Sequence, residues 1–346
     1  MFPSKRNRSF AAEWDPQDGI LISWPNAGTD WAYMLDEVTA CYVEIARAIL
    51  QDDERLIIVA NDPEEVRSAL EPDTDWRRVT IAVMPINDTW VRDYGPITVY
   101  HDGQLSLANF TFNAWGMKFA ADCDNQVNSR LDEQCAFKMP LLNYQDLVLE
   151  GGSIETDGNG TVMTTTCCLT APNRNDTLTR EQLEKVLLER LGCLKMLWLD
   201  HGSLVGDDTD GHIDTLMRIC PDDTILYTGG DADHPDLALM EQELHGLRTL
   251  DGRPYRLLKL PLPHPIYEEV KSEKRKVKRE RLPATYANYL VINGAVLVPT
   301  YAQPDLDAEA LHIIAQAFPD REIVGIDCRA VIRQHGSLHC CTMQYY

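Results

Sequence analysis

One arrangement recurs along the chain and constrains its fold more than any other feature: a short apolar strand, an amphipathic helix, then a second strand. The first copy predicts a strand at 20–24 and another at 56–60. Between them Leu35, Val38, Tyr42, Ile45 and Ile49 recur at spacings of three and four, which puts them on one buried helical face. A less regular copy follows, with strands at 105–112 and 147–149 and a helix around 127–135. The third runs from a strand at 161–166 to one at 194–199, its helix opened by the capping-box sequence Thr179-Arg180-Glu181-Gln182 and closed at Gly192. The fourth predicts strands at 224–228 and 255–260 around a helix at 236–247, and the fifth strands at 289–298 and 322–326 around a helix at 305–318. Alternation of this kind defines an α/β chain, most often a doubly wound parallel sheet. However, Trp24-Pro25-Asn26-Ala27-Gly28 after the first strand lacks the G-x-G-x-x-G phosphate loop of a dinucleotide fold. Five similar units set radially, with active residues on their inner loops, is the better closure.

Charge narrows the partners. With 32 Lys+Arg against 54 Asp+Glu the chain carries −22 at pH 7, which argues against nucleic acid or an anionic membrane and suits a cationic ligand, although acidity also serves solubility. The N-terminal Met1-Phe-Pro-Ser-Lys-Arg-Asn-Arg has no apolar run behind its basic residues, and no stretch of the sequence reads as a membrane span. The ten cysteines stand singly or as the adjacent pairs Cys167-Cys168 and Cys340-Cys341 without C-x-x-C spacing, so reduced thiols, a cytoplasmic location and no structural zinc are expected. A basic run at 271–281, seven basic residues against two acidic, has no interleaved aromatics for stacking on bases and reads as a solvated loop between the fourth and fifth units.

Polar residues of chemical interest concentrate in four short segments. Trp90-Val91-Arg92-Asp93-Tyr94-Gly95-Pro96 follows a predicted strand at 79–84 and ends in a Gly-Pro turn, which places Asp93 on a loop. Glu150-Gly151-Gly152-Ser153 likewise follows an apolar run, and its paired glycines allow a sharp turn or close backbone approach. Asp210-Gly211-His212-Ile213-Asp214 sets His212 and Asp214 two apart, on one face if extended. Gly336-Ser337-Leu338-His339-Cys340-Cys341 lies near the C-terminus. Singly, each segment has an ordinary structural reading: a turn, a capping pair, a small buried hydrophobe.

Together with Ala12-Glu13-Trp14, Ser23-Trp24-Pro25 and Phe112-Asn113-Ala114-Trp115-Gly116, these segments resemble, over nearly the whole chain, the agmatine deiminase family in the peptidyl-arginine deiminase-like branch of the guanidino-modifying (pentein) superfamily. The resemblance implies one catalytic domain over 1–346, a five-fold pseudosymmetric α/β propeller. It implies hydrolysis of agmatine to N-carbamoylputrescine and ammonia, serving putrescine biosynthesis, with peptidyl-arginine or free arginine as the alternative substrate. Asp93 and Asp214 would each take a guanidinium edge in charge-assisted hydrogen bonds. Cys340 would attack as thiolate to give a covalent thiouronium, and His212 would protonate the leaving ammonia and then deprotonate water. Glu150 would hold either the imidazolium or a guanidinium edge, and Trp90 and Trp115 would wall the substrate's alkyl chain.

No cofactor or metal enters that scheme. His212, Asp214 and the acids upstream have no third His or Cys at a ligand-like spacing. The implied partner is a small cationic guanidino substrate, and the resemblance leaves room for a homodimer. Where plant-type agmatine deiminases carry a glycine-rich stretch and Asn, this chain reads Arg333-Gln334-His335-Gly336-Ser337-Leu338, which puts the contact with the far end of the substrate in doubt. Cys341, on the same final strand as Cys340, would point to the opposite face. An unrelated Cys-His hydrolase would leave Asp93, Glu150 and Asp214 without a task, and a non-catalytic propeller would leave all four segments unexplained.

Overall fold

In the computed structural model the described residues are 8–51, 54–101, 103–230, 234–271 and 277–346. The basic start of the chain lies outside them up to residue 7, so the expectation about a leader is not addressed.

Five strand–helix–strand units are present, and in each the two flanking strands pair in parallel. The first joins Gly19–Ser23 to Arg55–Ala60 through the helix Leu35–Gln51, whose Val38, Tyr42, Ile45 and Ile49 are fully buried as their spacing requires. It continues through a short helix, Pro63–Leu70, to a third parallel strand, Val79–Val83. The third unit (Thr161–Thr165, Arg180–Leu191, Lys195–Leu199) has both hydrogen bonds of the capping box between Thr179 and Gln182. Its helix stops at Gly192, left-handed at φ 68°, a conformation that costs glycine nothing. The fourth unit joins Thr224–Thr228, Pro235–Gly246 and Arg256–Leu260.

Three expectations about elements need correction. In the second unit the strands are Gln104–Thr111 and Leu141–Val148 around the helix Val127–Glu133; the return strand starts six residues early because a register shift at Phe110/Thr111 accommodates its polar middle. In the fifth, the single apolar stretch at 289–298 is a tight hairpin, Leu290–Val291 turning at Asn293-Gly294 into Ala295–Thr300, before the helix Pro304–Ala315 and the strand Glu322–Asp327. The basic segment is part of an antiparallel hairpin, Tyr267–Lys271 with Val277–Arg281, in which Glu269 pairs across from Arg279 while Glu268 stands opposite Glu280; residues 272–276 lie outside the description.

Each unit also carries an antiparallel strand on the outer side of its first parallel strand. These are Ile97–His101, Ile154–Thr156, Met217–Cys220 and Leu290–Val291 for units two to five. For the first unit that strand comes from the other end of the chain, Thr342–Tyr345 on Gly19–Ser23. The result is five separate mixed sheets with apolar helices packed on them, and the short segments before each antiparallel strand are equivalent corners. No helix of the described residues is long and apolar enough to cross a membrane.

Candidate active site

Those corners hold every residue singled out by the sequence motifs except Trp115. Asp93 lies in a one-turn helix, Val91–Tyr94, before the second unit's antiparallel strand, rather than on an open loop; the turn closes because Gly95 N–H reaches the Val91 carbonyl. Glu150 precedes a 3-10 turn, Gly151–Ser153, which Ser153 fastens back onto the Glu150 carbonyl. His212 caps the turn Ile213–Thr215, so His212 and Asp214 are not on an extended strand; Thr215 Oγ1 donating to the His212 carbonyl holds the bend. Cys340 lies in the turn His339–Cys341 immediately before the last strand and not on it, because Thr342 Oγ1 donates to the His339 carbonyl and keeps the chain coiled.

The side chains converge on one point. A Cβ placed on Gly152 would lie 2.7 Å from His212 Nδ1, 2.8 Å from Asp93 Oδ1 and 3.1 Å from Asp214 Oδ2, so a single missing methyl marks where an acid–base ring and two carboxylates meet. Asp93 is fixed at both oxygens: Gly152 N–H donates to Oδ1 (2.9 Å) and Trp115 Nε1 to Oδ2 (2.8 Å). Trp115 reaches it from a backbone with φ 55° inside the kinked segment Ala114–Met117. Cys340 Sγ lies 3.4 Å from Asn288 Oδ1 and 3.9 Å from Asp214 Oδ2.

Glu150 resolves one alternative. Its carboxylate accepts from His212 Nε2 (3.0 Å) and from Arg174 Nε (3.0 and 3.1 Å), so it holds the imidazole, and the guanidinium it meets is the protein's own. Arg174 is in turn tied to Asp210 at 2.7 Å. His212 Nδ1 is left buried and without a hydrogen bond, and so is Asp214 Oδ1. His212 Nδ1 nevertheless faces Asp93 Oδ1 at 3.6 Å, within ion-pair distance.

Burial and the clustered carboxylates dominate the electrostatics of the site. Burial, reinforced by the charges of Asp214 and Asp93, pushes the Cys340 thiol well above its ordinary value. Burial also carries Asp93 up to about 6; Glu150 and Asp214 add to this, while His212 opposes it. For His212 burial disfavours the charged ring, but Asp93, Cys168 and Glu150 hold it well above the usual histidine value. Glu150 and Asp214, which burial alone would raise, are kept below the carboxylate norm, the first by His212 and Arg174, the second by His339, His212 and Arg218.

A pocket of about 270 Å³ leads to Cys340 and Asp93. Trp90, Trp115 and Phe119 form its apolar walls, and Asp30, Asp88 and Asp208 its acidic ones. Trp90 is braced by Gly336, where an added Cβ would come within 2.1 Å of the indole. No Lys or Arg occurs among the described residues that line it.

The sequence motifs missed several members. Asn288, fully buried beneath Cys340, accepts the His339 and Cys340 N–H groups (3.0 and 3.3 Å); a polar residue inside the apolar run 286–292 was its signal. Arg174 gave no signal, since nothing local marks it. Cys168 lies 3.8 Å from Glu150 Oε2 and, with Glu150 and His212, forms a trio whose ligand atoms are within 4.8 Å of one another. This third potential ligand comes from the one-turn helix Thr166–Leu169, which sequence spacing could not join to the other two. Its thiol is pushed up to about 11 by burial, and Arg174 already neutralises Glu150, so the trio suits a proton network better than a divalent ion.

A buried thiol, an imidazole and paired carboxylates on the corners of repeated α/β units define a class of protein: one built to seat a planar cation beside a nucleophilic sulfur. The sequence places it more narrowly. The model of the Porphyromonas-type peptidyl-arginine deiminase family matches residues 9–345, and the chain belongs to that family. A curated relative from Pseudomonas syringae pv. tomato, named agmatine deiminase, is 34% identical over 96% of this chain and 94% of its own. Among solved structures, a Porphyromonas gingivalis protein described as a proposed arginine deiminase is 50% identical, covering 98% of both chains at a TM-score of 0.90. A C. jejuni agmatine deiminase variant with substrate bound is 34% identical over 100% of this chain and 98% of its own, at a TM-score of 0.86.

Proposed function

We propose that this protein hydrolyses agmatine to N-carbamoylputrescine and ammonia through a thiouronium on Cys340, as a cytoplasmic enzyme of putrescine biosynthesis. The observation that carries the reading is the pocket itself: a thiol at its end, carboxylates around it and no Lys or Arg among its described lining residues. A guanidinium between Asp93 and Asp214 would satisfy the orphaned Asp214 Oδ1 and cancel the two charges that, after burial, hold the Cys340 proton in place. The thiol then gives its proton to solvent only with substrate present. Thiolate attack on the central carbon leaves an amine that His212 protonates from Nδ1, the one ring nitrogen not engaged by Glu150, releasing ammonia. The neutral ring next takes a proton from water attacking the thiouronium, the C–S bond breaks with its electron pair going to sulfur as the new hydroxyl gives its proton to the leaving thiolate, and the ureido product departs.

Acidic walls favour a substrate whose far end is an ammonium over one that ends in a carboxylate. The 50% identical structure and the family's description favour a second reading, free arginine or peptidyl-arginine. Purified protein incubated with agmatine, arginine and an arginyl peptide, with ureido product measured, tests both; higher kcat/KM on either arginine substrate would replace the first reading by the second.

The site also bears on architecture. We propose that the five units close into a single propeller-like ring over 1–346: the C-terminal strand supplies to the first sheet the element every other unit takes from its own preceding segment, and the site residues occupy equivalent corners.

A further inference from the structure

Packed against Asp214 lies a largely buried charged cluster that the proposed reaction does not use. His339 Nδ1 is 2.7 Å from Asp214 Oδ2, and its Nε2 is 2.6 Å from Glu13 Oε1 and 3.1 Å from Arg218 Nη2. Arg218 is itself held by Glu13 Oε2 and Glu155 Oε1, both at 2.5 Å. The His339 main chain is pinned independently: its N–H donates to Asn288, and its carbonyl accepts from Arg92 Nε at 3.4 Å. The ring therefore sits between two carboxylates, one of which is Asp214.

From this we infer that His339 is a positioning residue for cation capture, acting through Asp214 and never touching substrate; the inference rests on the guanidino reading above. Nδ1 faces the Asp214 carboxylate, which only accepts, so Nδ1–H donates to Oδ2, while Nε2 stands between the Glu13 carboxylate and the Arg218 guanidinium. Although burial opposes it, Arg218, His339 and Arg92 keep Glu13 well below the carboxylate norm, so Glu13 is an acceptor in this cluster. The ring then does two things for Asp214. It ties Oδ2, the oxygen that also faces Gly152 and lies 3.9 Å from Cys340 Sγ, which fixes the carboxylate plane beside the nucleophile, while Oδ1 keeps no hydrogen bond. It also satisfies a fully buried carboxylate and helps hold it below the carboxylate norm against burial, which alone would raise it. The position next to Cys340 in the chain makes the two functions rigidly adjacent: one turn carries the nucleophile and the brace of its electrostatic partner.

The test measures alkylation of Cys340 in the full-length protein by chloroacetamidine, a cation shaped like the guanidinium, against neutral chloroacetamide. The parent should react faster with the amidine; equal rates would remove the guanidino reading itself. In H339A the amidine-to-amide rate ratio should fall by about tenfold or more, with the neutral rate within about threefold of the parent, because a brace on Asp214 matters only to a cation. H339N, whose amide N–H can replace Nδ1–H, should recover most of the ratio. Adding H339A to D214N should change the ratio by less than about threefold, since a residue acting through Asp214 has nothing left to act on. Parent selectivity retained in H339A, both reagents slowed equally, or additive losses in the double variant would each overturn the role of His339 and leave the reaction assignment standing. If H339A does not fold, H339N alone decides: a ratio as low as that of D214N would count against a hydrogen-bonding brace.

Discussion

Gly152→Ala probes the geometry without deleting any functional group. Its φ is not in the left-handed region, so alanine fits the backbone and the effect is that of one methyl. That methyl meets His212 Nδ1 at 2.7 Å, Asp93 Oδ1 at 2.8 Å and Asp214 Oδ2 at 3.1 Å, where ordinary contact begins at 3.4 Å. Relief requires displacements of about 0.3–0.7 Å, and none of the three is free to give: Trp115 holds Asp93, Glu150 holds His212 and His339 holds Asp214. Overpacking of this size costs about 1–3 kcal/mol of stability, which a chain with so large a core should survive. Catalysis is less tolerant, because misplacement approaching 1 Å costs about 100-fold. The expectation is a folded protein whose kcat/KM on agmatine falls by about two orders of magnitude. Thermal unfolding and initial rates of ureido product measure the two parts, with Gly246→Ala, where an added Cβ meets nothing, as control. Activity of Gly152→Ala within threefold of the parent would show that His212, Asp93 and Asp214 do not work as one constellation.

Cys340→Ser should abolish turnover and Cys341→Ser should keep most of it, since Cys341 is buried away from the pocket lining; the reverse outcome would move the nucleophile by one residue. Asp93→Asn and Asp214→Asn should each lose a charge-assisted pair, about 1.5–3 kcal/mol or roughly 10- to 150-fold in kcat/KM, and retention within threefold would make that carboxylate structural. Because the Asp93 pKa is raised, to about 6, its carboxyl gains a proton as pH falls through that value, so kcat/KM should decline below about pH 6. A flat profile down to pH 5 would contradict the need for ionised Asp93. Kinetics in EDTA should match those without it; loss of activity restored by a divalent cation would turn the Glu150, Cys168 and His212 trio into a metal site.

Why some of this was legible in the sequence and some was not follows from the range of the interactions involved. The helix of the first unit and the capped helix of the third are specified by neighbours three and four apart, so their limits could be read from periodicity and caps. The split of the stretch 289–298 into a hairpin was harder, because a buried hairpin and a buried strand present the same apolar run, and Asn293-Gly294 was the discriminating sign. At the site, residues with chemistry in their side chains stood out beside their glycines. Asn288, Arg174 and Cys168 did not, since their roles exist only through partners brought in from other corners.

That contrast explains how such a site can be assembled at all. Each functional group sits on a turn whose shape is set locally: Ser153 on the Glu150 carbonyl, Thr215 on the His212 carbonyl, Thr342 on the His339 carbonyl. Every one of these turns immediately precedes an antiparallel strand, so once the strands pair, the turns meet at fixed distances. Local hydrogen bonds therefore determine where a side chain points, and sheet register determines what it meets. The last strand is the clearest case: Thr342 pairs with Ile22 and Tyr345 with Gly19, and this pairing, made by the final residues of the chain, brings Cys340 to Asp214. Removing residues 341–346 should accordingly destroy activity by releasing Cys340 from its register and not by deleting chemistry. A truncated protein that still alkylates selectively with chloroacetamidine would show that the turn holds its position without the strand.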